Sequence, residues 1–96
     1  MCMDINALLQ EARAIWGNDK LSLDEILIRQ GVTIGDLHRL ARDHDEGQPL
    51  NEAELKKELG NVIFSTIRWC DDLGYTPEEC IELAKQAQKK YRQDRA

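Results

Sequence analysis

Apolar residues recur along this chain at three- and four-residue spacing, and no stretch alternates with the period of two that a half-buried strand needs. Everything periodic reads as helix. Ile5, Leu8, Leu9, Ala12 and Ile15 or Trp16 fall on one face of a first helix, capped by Asp4 and ended by Gly17-Asn18-Asp19. Ser22, with Glu25 three residues on, writes a capping box for a second helix. Its expected buried stripe is Leu23, Ile26, Leu27, Ile34, Leu37, Leu40 and Ala41, and Gly47-Gln48-Pro49 closes it. Gly31 and Gly35 each weaken that helix by roughly 1 kcal/mol relative to Ala, so they ask for a packing or functional reason. Asn51 with Glu54 starts a third helix that ends near Gly74. Thr76-Pro77-Glu78-Glu79 starts a fourth, with Cys80, Leu83, Ala84, Ala87 and Tyr91 as its buried face and a basic, frayed end over residues 89–95. The expectation is an all-α fold, a four-helix bundle of antiparallel helices forming one domain over residues 1–96.

The third helix is the most informative. At about 100° per residue, Leu55, Leu59, Val62, Ile63, Thr66, Cys70 and Leu73 share one side, which predicts the face turned to the core. Glu54, Glu58, Asn61, Ser65, Arg68 and Asp72 follow one another down the neighbouring side. Glu58 and Asn61 stand one turn apart, so their oxygens can converge, and Glu58 falls at the core edge. On the second helix Asp36 borders the apolar stripe. Two antiparallel helices packed through those stripes bring Asp36 towards Glu58. Carboxylates that converge at a core edge are costly unless they hold a cation, or a cationic side chain such as Arg29 or Arg68. Mg²⁺ is the natural metal, because it takes hard oxygens and is content with one or two carboxylates plus substrate phosphates.

Composition narrows the field. With 96 residues and a formal charge of −5 at pI about 5.0, the chain repels a phosphate backbone, so the helix-turn-helix look of residues 30–37 does not predict a nucleic-acid partner. No apolar run approaches the roughly 20 residues of a membrane span, and Met1-Cys2-Met3-Asp4 lacks a signal-peptide start, so no membrane partner and a cytoplasmic location are expected. Cys2, Cys70 and Cys80 have neither disulfide nor zinc spacing, and Cys70 and Cys80 read as small core residues. His38 and His44 do not share a helix face. A chain this short buries a modest core and gains from a second subunit.

Gly35-Asp36-Leu37, Glu58-Leu59-Gly60-Asn61-Val62, Asp72-Leu73-Gly74 and the capped fourth helix resemble the MazG-type all-α NTP pyrophosphohydrolases, over nearly the whole chain from about Leu23 to Arg95. The resemblance implies a MazG-like bundle completed by dimerisation. It also implies Mg²⁺ held by a Glu-x-x-Glu pair and a Glu-x-x-Asp pair, while water splits a nucleoside triphosphate into monophosphate and pyrophosphate. The matching positions here are Thr33, Asp36, Glu58 and Asn61, so two of four carboxylates are replaced. Val32 stands where a further Glu is common, and Ala87 where the last helix carries an Asn. Glu58 and Asp36 are then the catalytic candidates. Asp36, Glu58, Asn61 and Glu54 are the metal candidates, and Arg68 and Lys85 the phosphate contacts. The resulting expectation is a homodimer or higher homo-oligomer with a weakened Mg²⁺ site. The alternative is a catalytically silent helical homo-oligomer that serves as a nucleotide-binding or interaction module.

Overall fold

Each helix begins where its cap residue stands. The computed structural model describes residues 3–95, leaving Cys2 outside, and contains α1 (Ile5–Trp16), α2 (Leu23–Asp45), α3 (Glu52–Asp72) and α4 (Pro77–Arg95), with no strand among the described residues. Asp4 accepts from the Asn6 amide at 2.9 Å. Ser22 and Glu25 form both halves of a capping box. Asn51 accepts from the Glu54 amide at 3.1 Å and Thr76 from the Glu79 amide at 3.2 Å. Each cap satisfies one of the amides that a helix start leaves without an intrahelical partner.

Three helix ends place a glycine at positive φ, Gly17 after α1, Gly47 after α2 and Gly74 after α3, and the last two close by a pair of backbone bonds. After α3, Gly74 takes φ 85° and gives its amide to the Asp71 carbonyl at 3.0 Å, while Tyr75 reaches back to the Cys70 carbonyl at 2.9 Å. Gly47 closes α2 in the same way, at φ 99°. This paired closure uses the left-handed conformation, which costs a side chain dearly.

α3 is the central helix, and α1, α2 and α4 each pack on it. Arg29, early in α2, lines the same pocket as Arg68 and Asp72, late in α3, so the two helices run antiparallel. α1 lies across the C-terminal half of α3, where Arg13 bridges Asp71 and Asp72 at 2.6 and 2.5 Å and Lys20 adds a 2.7 Å contact to Asp71. The Cys70 and Cys80 thiols join α3 to the first turn of α4, and burial together with that contact pushes the Cys70 thiol up to about 11. No helix among the described residues is long and apolar enough to cross a membrane.

The burial pattern departs from the sequence expectation. On α3 the buried residues are Glu58, Ile67, Arg68 and Trp69, while Leu59 and Ile63 are exposed, Ile63 by 66%. Glu58, Ser65, Arg68, Trp69 and Asp72 share an arc of about 100° that its own chain covers, and Ile67 is buried on the opposite side. The apolar side of α3 instead forms an open groove of about 510 Å³ with Ile5 and Leu8 of α1 and Pro77, Cys80 and Ile81 of α4. Elsewhere the same correction holds. Leu23 and Leu27 of α2, Ile15 and Trp16 of α1, and Leu83, Ala84, Ala87 and Tyr91 of α4 are exposed where helical spacing predicts burial. α4 meets α3 near its start, where Pro77 is buried and Cys80 half-buried, while Leu83, Ala84 and Ala87 further along are exposed. Gly31 and Gly35 also meet no neighbour within 4 Å that would exclude a side chain.

The surface total says the same. The chain exposes 7621 Å², against about 5,600 Å² for a compact monomer of this mass. Its radius of gyration is 15.9 Å, where a compact chain of this length has about 12.5 Å.

Candidate functional site

Register fixes the level of each candidate along the α2–α3 seam. Arg29 and Arg68 line one pocket and so stand at one level. Seven residues further on each strand of that pairing, close to two helical turns, Asp36 comes level with Asn61, one turn from Glu58. Glu58 is 5% exposed, more deeply set than an edge position. Its Oε1 accepts from the Asn61 Nδ2 at 3.1 Å and lies 3.7 Å from the Lys57 ammonium. Its Oε2 is buried with no hydrogen-bond partner. A bare carboxylate oxygen in that position costs of the order of 1–3 kcal/mol or more, so it is an acceptor in want of a donor or a cation.

The other candidates are held locally. Asp36 is half-buried and pairs with Arg39 of its own helix at 3.7 Å. Neither Arg29 nor Arg68 supplies the cationic partner of either carboxylate; Lys57 and Arg39 do. Glu54 is bound by Lys57 at 2.9 Å, and these two carboxylates hold the Lys57 ammonium above its ordinary value, Glu54 foremost. Thr33 spends its hydroxyl on the Arg29 carbonyl at 3.1 Å, within its own helix. Lys85 pairs with Glu82 on exposed α4 at 3.4 Å, whereas Arg68 is buried against the Trp16 ring at 4.8 Å. The structure therefore joins Glu58 to Asn61 and Lys57, ties Asp36 to Arg39 on its own helix, and keeps Arg68 and Lys85 on different faces.

These residues fit Mg²⁺ only in a limited way. Among the described residues no three His, Cys, Asp or Glu side chains gather as a metal-binding group. Asn61 already turns its amide nitrogen to Glu58. One free buried oxygen suits a cation that arrives with most of its shell supplied by phosphates and water.

Sequence reasoning passed over Arg13 and the pairing of Asp71 with Lys20, and it placed Trp16 merely on an apolar face. A signal for Arg13 existed. Asp71 and Asp72 stand together in the last turn of α3, where the helix dipole disfavours negative charge, and such a pair demands cations from elsewhere. No protein-family model matches the chain, and no curated protein or solved structure matches it.

Proposed function

We propose that this chain is a MazG-like protein of the NTP pyrophosphohydrolase family that binds a Mg²⁺–nucleoside triphosphate at the α2–α3 seam as a homodimer, with hydrolysis weakened by the loss of two carboxylates. The single observation that carries this reading is the buried, unpartnered Oε2 of Glu58, one helical turn from Asn61. The metal would offset phosphate charge, with Glu58 as its protein contact. Asp36 would orient water from the opposite helix. Asn61 positions Glu58 but cannot act as a base, because an amide does not take up a proton near neutral pH. Dimerisation is supported by the open apolar groove on α3 and by the excess surface of roughly 2,000 Å² per chain, within the range that obligate interfaces bury.

A panel of canonical and modified dNTPs with Mg²⁺ or Mn²⁺ is expected to show binding by calorimetry but little or no pyrophosphate release. Robust turnover that Glu58→Gln abolishes overturns the weakened site. Absence of any nucleotide binding leaves the silent interaction module, which the local pairing of Asp36 with Arg39 favours.

A further inference from the structure

Two thiols meet in the wall of the open groove, and the seam at Glu58 leaves them unused. Cys70 stands in the last turn of α3 and Cys80 in the first turn of α4, and both line the groove beside Pro77 and Ile81. Both are free and half-buried. The connection between them is short and closed. The Tyr75 amide reaches the Cys70 carbonyl at 2.9 Å, the Gly74 amide the Asp71 carbonyl at 3.0 Å, and the Cys80 amide the Thr76 carbonyl at 3.3 Å. The turn therefore presents the two sulfurs to each other from a backbone that is already fixed, and the thiols share a hydrogen bond.

The pair is unequal. Burial first, and then the contact with Cys80, hold the proton on Cys70. A thiolate and not a thiol is the nucleophile in disulfide exchange, so Cys80 attacks first and Cys70 resolves. Once Cys80 is bound in a mixed disulfide, its own share of the hold on the Cys70 proton is gone.

We infer that Cys70 and Cys80 form a reversible disulfide that clamps α4 to α3, with a low-molecular-weight disulfide as the co-reactant. The Cys80 sulfur loses its proton to solvent and attacks one sulfur of the co-reactant. A mixed disulfide forms, and the first small thiol leaves with the electron pair of the broken S–S bond and takes up a proton. The Cys70 sulfur then loses its proton and attacks the Cys80 sulfur, and the second small thiol leaves in the same way. In sum, two electrons and two protons pass from the protein to the co-reactant. The consequence is mechanical. Beyond its first turn α4 leaves Leu83, Ala84 and Ala87 exposed, so a covalent bond at Cys80 fixes where the helix departs from α3 and holds the groove wall that Cys80 and Ile81 form. This inference concerns the single chain and stands apart from the nucleotide and homodimer reading.

The test uses the unaltered chain, equilibrated near neutral pH in mixtures of oxidised and reduced glutathione. Trypsin cuts after Arg68 and Lys85 and nowhere between, so one peptide over residues 69–85 carries Cys70 and Cys80 without Cys2. That peptide should become lighter by two hydrogens as oxidised glutathione rises, and dithiothreitol should restore its mass. The oxidised chain should melt roughly 5–10 °C above the reduced one, because the bond restricts the unfolded chain. Cys70→Ser should trap one glutathione on Cys80, whereas Cys80→Ser should take up glutathione at least about tenfold more slowly. A peptide that carries glutathione on both sulfurs, or stays reduced in excess oxidised glutathione, overturns the pairing. Equal uptake by the two variants overturns the order of attack, and a linked chain that melts no higher than the reduced one overturns the clamp.

Discussion

Arg13 is the side chain on which the α1–α3 contact turns. It meets Asp72, whose carboxylate is 0% exposed, and Asp71 beside it. Removing one partner of a buried pair strands the other charge, a loss of about 3–5 kcal/mol. Arg13→Ala should therefore lower the unfolding free energy by that amount in urea melts, whereas a surface pair such as Lys85–Glu82 should contribute under about 1 kcal/mol. Acid should expose the same network. Lys20 first, and Arg13 after it, hold the Asp71 carboxyl below its usual range. A group whose pKa falls on folding stabilises the protein above its unfolded value, about 3.9 for Asp, and that stability drains as pH drops through the folded value. Melts taken from about pH 5 down to about pH 2 should show this decline, and Asp71→Asn should flatten it.

At the level of helices, boundaries were legible and faces were not. Asp4, Ser22, Asn51 and Thr76 were read as caps from sequence, and each accepts a backbone amide in the structure. Caps are local chemistry, complete within four residues, so the chain states them outright. The covered side of a helix depends on its neighbours. Periodicity marks the apolar stripe of α3 through Leu59 and Ile63, but it does not say whether another helix of the same chain lies there. The Glu58 environment was legible as far as Asn61, one turn away. Arg13 was not, because its partners lie 58 and 59 positions further along the chain. The closures are as exacting as the caps. Gly74→Ala should destabilise the protein by about 1 kcal/mol or more, since the left-handed φ of 85° penalises any Cβ. A melt that does not shift would show that the α3 end is free to rearrange.

For the molecule as a whole, the surface of 7621 Å² and the exposed apolar residues on α2, α3 and α4 are what the proposed homodimer would bury. Under the homodimer reading, light scattering at micromolar concentration should give about twice the 11.0 kDa chain mass. Leu59→Lys with Ile63→Lys, at positions already open to solvent in one chain, should return it to a single chain without loss of helix. A monodisperse 11.0 kDa species for the unaltered protein sinks the reading.

The paired thiols at the α3–α4 joint carry a quieter consequence. Burial and the Cys80 contact push the Cys70 thiol up to about 11, so the thiolate is scarce there at neutral pH. Electrophiles therefore find almost nothing to attack while the joint is shut. An alkylating reagent at neutral pH should therefore modify Cys70 more slowly than a thiol of ordinary pKa, and unfolding the chain should remove that protection.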